Sequence, residues 1–360
     1  MKETTISIMK CLAIIGVVAG HCRLSRWSED FVNQWHLATF FFVAGMCFKD
    51  KYVSQPKLYI KRRIKSLYVP FVEFGLLFLA THNILYVIHC AENEYTIHDI
   101  GQELFYLTIR LTSNEPLMGA MWFCPALLLT SIIMMLTKMF VCKWVDISGI
   151  CKLGGAMSPI LIFLLGYTAI QLHFKSPYCI WQYMVLSFIM WMGHWFKRYV
   201  KADKWKTMTH IAIATTGFTL IALATNYGFM AKLQPYNINK ENAIALLLIP
   251  ALAGVSVYSL SALLNKHNMK QALAYIGNHS FSIMALHFLA FKAVNLAQIC
   301  FYGYSMERLA DFPVISYGNS WEWGLLYIII GVSTPLILDY AYDAIKRVVT
   351  GMVFITDNRK

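Results

Sequence analysis

The sequence is poor in charged residues. Of its 360 residues only 14% are Asp, Glu, Lys or Arg, whereas 58% are hydrophobic, and the mean hydropathy is +0.52. A water-soluble protein of this length does not need so much apolar surface, so a soluble globular fold is excluded. No small-residue cleavage site follows the first apolar segment, and we expect that segment to be retained as a membrane span.

The sequence also lacks the patterns of several other protein classes. Its nine cysteines are odd in number and include no C-x-x-C pair, which argues against a disulfide framework or a metal site. Because no low-complexity segment and no appended soluble domain are visible, we expect one integral membrane domain over residues 1–360. No internal repeat is visible either, and this disfavours a transporter built from inverted repeats.

The apolar residues are grouped into segments of the length that crosses a bilayer. Hydropathy predicts an all-α polytopic bundle of about ten transmembrane spans. The predicted spans are 6–21, 34–48, 66–89, 117–137, 158–173, 178–196, 208–229, 243–264, 274–300 and 323–345.

Basic residues predict the orientation of this bundle. With the N-terminus in the cytoplasm, the inner loops hold about three times as many Lys and Arg residues as the outer loops, which predicts that both termini are cytoplasmic. The net charge of +12 is then explained by topology and by attraction to anionic membrane lipids, and nucleic acid binding is not expected.

Two ionisable residues interrupt the first span. His21 lies eleven positions after Lys10. At about 100° per residue the two side chains differ in direction by roughly 20°, so they share one helix face, and they lie about 16 Å apart along the axis. A cation and a histidine on one face of a span are costly in a membrane and point to a function. The ordinary alternatives are snorkelling of Lys10 to the inner headgroups and an interfacial hydrogen bond for His21.

Two further histidines lie in predicted spans. His36 opens the second span on the outer side, and the short connection to the first span predicts that it lies near His21. His287 lies near the middle of the ninth span, where an imidazole that faces lipid would be costly, so we expect it to face the bundle or a cavity. Histidine is the usual general base near neutral pH, although His36 also fits an ordinary interfacial position.

Basic and aromatic residues mark the two sides of the predicted bundle. Arg62, Arg63 and Lys65 lie at the inner end of the third span, and the spacing of Arg62 and Lys65 predicts a shared helix face. These residues fit either a positive-inside anchor or a site for nucleotide phosphates. Trp122 begins the fourth span on the outer side and fits either the aromatic belt or a platform on which a sugar stacks.

Five stretches resemble the acyltransferase family 3 membrane proteins, in particular the sugar O-acetyltransferases of the fucose acetylase type. They are ISIMKCLAIIGVVAGHC (6–22), HLATFFFVAGMCF (36–48), KRRIKSLYVP (61–70), WFCPALL (122–128) and GNHSFSIMALH (277–287). The family pattern of a basic residue, ten intervening residues and a histidine falls on Lys10 and His21. The chain departs from the family at Ser7, where Asp is usual, and at Ala44, where the FF-x-x-SG motif has serine.

The resemblance implies a bacterial inner-membrane O-acetyltransferase. It would move an acetyl or other short acyl group from cytoplasmic acetyl-CoA to a hydroxyl of a cell-surface or lipid-linked glycan, without a metal. The implied roles are catalysis by His21 and His36, donor binding by Lys10, Arg62, Arg63 and Lys65, and acceptor binding by Trp122 and His287.

Three alternatives stay open at this point. A covalent acyl intermediate on His21 is an alternative to direct transfer. A multi-span transporter or flippase of a sugar or lipid-linked substrate also suits embedded ionisable residues, and the third alternative is a non-catalytic membrane scaffold.

Overall fold

The computed structural model describes residues 3–148, 151–235, 237–238, 241–316 and 320–357, with side chains at 3–140, 157–235, 237–238, 241–316 and 320–346. The described residues form α-helices and connecting turns, with no β-strand among them, which confirms the predicted all-α polytopic bundle. The helices are α1 Glu3–Gly20, α2 Arg26–Asn33, α3 His36–Met46, α4 Pro56–Arg63, α5 Val69–Val87, α6 Ile97–Phe105, α7 Phe123–Ser148, α8 Cys151–Gln171, α9 Ile180–Tyr199, α10 Thr207–Asn226, α11 Ala243–Leu264, α12 Lys270–Asn278, α13 Ser280–Tyr302 and α14 Trp321–Asp357.

Several of these helices have the length and composition of membrane spans. Within the described part of the chain, seven helical segments are long and apolar enough to cross a bilayer, as a multi-pass membrane protein requires. They are Glu3–Gly20, Pro56–Val87, Phe123–Phe140, Thr207–Asn226, Ala243–Leu264, Ser280–Tyr302 and Trp321–Lys346. The number of ten spans and the cytoplasmic termini stay predictions.

The predicted second span is a short helix. α3 has 11 residues, about 17 Å along its axis, whereas the hydrocarbon core is about 30 Å thick. Ten of these 11 residues are buried, so α3 lies inside the protein and not against lipid. Its first residue, His36, is therefore held within the bundle.

The predicted third span is interrupted near its basic end. Between α4 and α5, residues Ile64–Tyr68 form a π-helical turn. Pro70 explains this wider turn, because its ring has no N–H and would clash with the carbonyl group of Ser66, four residues earlier, in a regular α-helix.

α1 is the central helix of the bundle. It packs against α3, α11, α12, α13 and α14, so its side chains are surrounded by protein on several sides. Gly277 lets α12 approach very closely, since a Cβ atom at this position would lie 1.8 Å from the backbone oxygen of Ser7. Beside it, the Ser7 hydroxyl donates a hydrogen bond of 2.8 Å to Asn278. The close approach of small residues is a common way to pack membrane helices.

Replacement of Gly277 by valine is expected to destabilise the protein by about 1–3 kcal/mol or more, because the added atoms meet backbone that has no room to move. Thermal unfolding of the purified protein in detergent measures the effect. Gly101→Ala is the matched control, since nothing lies within 4 Å of a Cβ atom there. Equal shifts in Tm for the two variants would contradict the packing described for Gly277.

Candidate active site

Two histidines from distant parts of the chain contact each other inside the bundle. His21 follows Gly20, the last residue of α1, and its Nδ1 lies 3.3 Å from Nε2 of His287 on α13. The ring centroids are 5.3 Å apart and the planes differ by 25°, while Phe288 packs its ring against His21 at 4.8 Å. The imidazole of His21 therefore faces protein and not lipid.

The hydrogen bonds of His287 determine which nitrogen of His21 carries a proton. Nδ1 of His287 lies 3.0 Å from the carbonyl oxygens of both Ile283 and Met284. Carbonyl oxygens only accept, so this nitrogen is the protonated one, and Nε2 of a neutral His287 is an acceptor. His21 then donates from Nδ1, and its own Nε2 keeps the lone pair that a general base needs.

The depth of this pair follows from the length of α13. Tyr302, the end of α13, lies fifteen positions beyond His287, about 22 Å further along the axis. The sequence placed His21 near the outer surface and His287 near the middle of the membrane. Because the two rings touch, they lie at a common depth, well inside the length of α13.

His36 lies close to the same point, as the short connection from α1 predicts. Its Nδ1 donates a hydrogen bond of 2.7 Å to the carbonyl oxygen of Val32. Two glycines of α1 make room for it: a Cβ atom at Gly16 would lie 2.9 Å from Cβ of His36, and one at Gly20 would lie 3.8 Å from Cε1. A larger residue at Gly16 would displace His36, whereas the distance at Gly20 is ordinary van der Waals contact.

A cavity of about 390 Å³ of empty space, including the part open to the outside, lies beside these histidines. It brings together His21 and His36 with Trp122, three of the residues that the sequence singled out. His287 does not line it, because its side chain is completely buried behind His21. The other polar residues of the lining are Asn33 and Gln234, and the apolar residues include Phe40 and Phe123.

A second groove shares Trp122 with this cavity. Its lining includes Arg110, Tyr178 and Tyr183, and its empty space is about 600 Å³ when the part open to solvent is included. Three of its lining residues have left-handed backbone conformations that side chains rarely adopt, and such strain is common at ligand sites. They are Leu111 (φ 57°), Tyr178 (φ 54°) and Cys179 (φ 55°).

The predicted donor-binding arginines lie against tyrosines. Nη1 of Arg62 donates a hydrogen bond of 2.8 Å to the hydroxyl of Tyr52, and its guanidinium lies 5.8 Å from the centre of that ring. The guanidinium of Arg63 lies 5.1 Å from the ring centre of Tyr59. The two tyrosine rings are neighbours, with centroids 4.9 Å apart. Arg62 and Arg63 therefore flank one aromatic pair.

The predicted donor-binding lysines are in different surroundings. Lys65 is exposed and lines an open groove with Lys57 and Lys61, whereas Arg62 does not line that groove. Lys10 is half-buried on α1 and makes no hydrogen bond or ion pair with the residues whose side chains the structure describes. A cation in this position is available to an anionic ligand.

Helix α7 gives the separation between the two groups of candidate residues. Phe123, its first residue, lines the cavity at His21, whereas Lys138 lies beside Phe48, whose ring packs against Tyr52, the partner of Arg62. Fifteen positions of helix correspond to about 22 Å. The histidines and Trp122 thus lie at one end of α7, and the basic and tyrosine residues lie toward the other.

Sequence reasoning missed a partly buried ionic cluster at the basic end. It treated Lys138 and Arg198 only as charges that set topology, but both contact Asp50, and Lys138 also contacts His194. No spacing in the sequence connects these residues, since they come from three separate segments. Among the residues with described side chains, no three His, Cys, Asp or Glu residues are grouped as a metal site would require.

The fold and the site together define a multi-pass membrane protein with two contacting histidines, one of which lines a cavity. The chain matches the model of the acyltransferase 3 domain over residues 4–340, so it belongs to acyltransferase family 3 and is a membrane acyltransferase. Searches of curated proteins and of solved structures found no match. The family identified from the sequence motifs is thereby confirmed.

Proposed function

We propose that this acyltransferase is an O-acetyltransferase of the fucose or polysaccharide type in the bacterial inner membrane. It moves an acetyl group from cytoplasmic acetyl-CoA to a hydroxyl of a lipid-linked or cell-surface glycan. The observation that carries this proposal is the contact between His21 and His287, in which His21 also lines the cavity and its Nδ1 is engaged by His287.

His21 acts as the general base in this mechanism. Its Nε2 takes the proton of the acceptor hydroxyl while the hydroxyl oxygen forms a bond to the thioester carbonyl carbon. As the carbon–sulfur bond breaks, the same nitrogen returns the proton to the leaving thiolate of CoA. Direct transfer of this kind balances without an added reactant, and an acyl group held on His21 is its covalent alternative.

His287 is a positioning residue in this mechanism and not an acceptor-binding residue as the sequence suggested. It is completely buried and touches His21 from behind. Its Nε2 fixes the His21 proton on Nδ1 and stabilises the imidazolium that forms during transfer, as an orienting partner does in other histidine-base systems. His36, which lines the same cavity, assists by contacting the acceptor.

Trp122 links the histidine cavity to the groove that holds Arg110 and Tyr178. A sugar ring has apolar faces and polar edges, and an aromatic ring that lines two adjoining spaces suits stacking on such a face. We assign the second groove to the glycan acceptor, with the reacting hydroxyl directed past Trp122 toward His21.

The donor enters from the basic end of the bundle. Arg62, Arg63, Lys65 and Lys10 supply the positive charge that CoA phosphates need. The thioester then has to reach His21 from that end. Ile14, which lies between Lys10 and His21 on α1, has no exposed surface, so side chains along this path must separate when the pantetheine arm enters.

Charge reversal at Arg62 and Lys65, by Arg62→Glu and Lys65→Glu, is expected to raise the KM for acetyl-CoA by about tenfold or more. The reason is the loss of charge-assisted contacts to phosphate. Initial rates at varied acetyl-CoA in membranes measure this. Lys204→Glu, on the short turn Ala202–Lys204 after α9, is the control for charge alone. An unchanged KM would assign Arg62 and Lys65 to membrane topology.

Acetyl-CoA labelled in its acetyl group, incubated with membranes that contain the protein, tests the proposed function. We expect label in ester linkage on a glycan, released by mild base and identified by mass spectrometry. Uptake of a sugar or lipid-linked solute without ester formation would instead support a transporter. Absence of both, from folded protein offered a full set of surface glycans, would contradict the proposal.

A further inference from the structure

Four side chains from three segments meet at the basic end of the bundle. Asp50, on the turn after α3, accepts hydrogen bonds from Nζ of Lys138 on α7 and, at 2.9 Å, from Nη1 of Arg198 on α9. Nε2 of His194, also on α9, lies 2.7 Å from the Lys138 nitrogen and 3.6 Å from the carboxylate. Three basic side chains are therefore directed at one acidic group.

Two of the three basic partners are built into the bundle, whereas Arg198 and the acidic partner are about half-exposed. The side chains of Lys138 and His194 are only 10% and 9% exposed, but that of Asp50 is 55% exposed. The rings of Phe48 and Trp191 hold the Lys138 ammonium at 5.4 and 5.6 Å. A buried lysine fixed in this way keeps its position whether or not the Asp50 side chain stays on it.

The charges of the cluster do not cancel. Partial burial by itself would raise the pKa of Asp50, but the hydrogen bond from Lys138 and the charges of Lys138 and Arg198 lower it overall, so Asp50 stays ionised. With His194 neutral, two cations face one carboxylate. The remaining positive charge suits a group with more negative charge and more acceptor oxygens than a carboxylate has, and a phosphate monoester carries about −1.5 to −2 at neutral pH.

The cluster adjoins the predicted donor-binding residues. Phe48, which contacts both Lys138 and His194, packs its ring against Tyr52 with centroids 6.0 Å apart, and Tyr52 accepts the hydrogen bond of Arg62. CoA carries a pyrophosphate and a separate 3′-phosphate on its ribose. Two neighbouring groups of cations, joined by an aromatic surface, correspond to these two kinds of phosphate.

We propose that Lys138, His194 and Arg198 form a subsite for the 3′-phosphate of the CoA donor, in which the phosphate displaces the carboxylate of Asp50. Asp50 then acts as an internal competitor for the same cations. The alternative is a purely structural ion pair that joins the turn after α3 to α7 and α9. Removal of the Asp50 charge should strengthen phosphate binding at a subsite but only destabilise a structural ion pair. The assignment presupposes the CoA donor of the proposed function.

The subsite is tested by a comparison of the affinities for CoA and for dephospho-CoA, which lacks the 3′-phosphate. The purified full-length protein is used in nanodiscs of neutral lipid. We expect CoA to bind about tenfold or more tightly than dephospho-CoA. Arg198→Gln should bring the two affinities together, and Asp50→Asn should tighten CoA binding without tightening dephospho-CoA binding. Arg198 is half-exposed, so its replacement is compatible with folding. Lys138→Met is a second variant that removes another cation of the subsite, and its affinities are measured on folded protein.

Lys201→Gln is the matched control, because Lys201 is exposed near the end of α9 and forms no ion pair among the described side chains. The subsite would be overturned if Arg198→Gln still bound CoA more tightly than dephospho-CoA by the wild-type ratio, or if Asp50→Asn lost affinity for CoA. In either case CoA binding itself still supports the proposed function. Absence of CoA binding by the folded wild-type protein would overturn both. The Tm is also measured in nanodiscs that contain phosphatidylglycerol and, separately, in neutral nanodiscs with 3′,5′-ADP added. If only phosphatidylglycerol raises the Tm, and only when Arg198 is present, the ligand is a lipid headgroup and the donor assignment fails.

Discussion

Replacement of His21 by alanine is expected to lower kcat for acetyl transfer by about 10²–10⁴-fold, with a much smaller change in KM for either substrate. The variant loses the nitrogen that takes the acceptor proton, while the cavity and the donor site stay in place. His21 lies just beyond α1 and not within it, so its truncation leaves the helix itself intact. Initial rates with labelled acetyl-CoA at saturating acceptor measure the effect.

Two variants separate catalysis from folding in this experiment. His98→Ala removes a histidine whose side chain is 86% exposed on α6 and should leave kcat unchanged. His36→Ala removes the other histidine of the cavity and should reduce the rate less than His21→Ala does, because His36 is not hydrogen-bonded to His287 in the described structure. Undiminished transfer by a folded His21→Ala protein would remove His21 from the mechanism.

Replacement of His287 by leucine is expected to lower kcat by about 10–100-fold, which is a typical effect of losing the partner that orients a functional histidine. Leucine offers no acceptor to His21, so the ring loses the partner that orients it from α13 and keeps only its hydrogen bond to the backbone of Val17. His287→Gln keeps an acceptor oxygen and should recover part of the rate. The pH–rate profiles of the three proteins, compared with their KM values, provide the measurement.

A structural role for His287 predicts a different pattern. In that case leucine and glutamine would lower Tm and the amount of folded protein, and kcat per folded molecule and the pH profile would stay as in the wild type. Equal loss of kcat in both variants, without rescue by glutamine, would contradict the hydrogen-bonded orientation of His21.

Hydropathy was a good guide to where the helices lie but a poor guide to whether a helix is buried in protein or long enough to span the membrane. The segments predicted at 243–264 and 208–229 match α11 and α10 closely, because a long apolar run in a membrane has few alternatives to a helix. The stretch 34–48 was predicted as a span, yet α3 is only 11 residues long. Burial against protein and burial against lipid require the same apolar residues, so composition does not distinguish them.

The candidate site could be predicted only in part. The proximity of His21 and His36 followed from the short connection between α1 and α3. The contact of His21 with His287 joins residues 266 positions apart, and no local pattern encodes it. The ionic cluster at Asp50 was missed for the same reason, since Lys138 looks like an ordinary charge at the end of a span until helix packing places it beside α9.

The central claim is that donor and acceptor meet at His21 from opposite ends of the bundle. Proteoliposomes that hold the protein in one orientation test this claim most directly. Acetyl-CoA is confined to the side of Arg62, and a membrane-impermeant glycan acceptor is placed on the other side. We predict that acetylated acceptor accumulates in this arrangement and that His21→Ala abolishes it. Acetylation that occurs only when both substrates are on the same side would contradict the account.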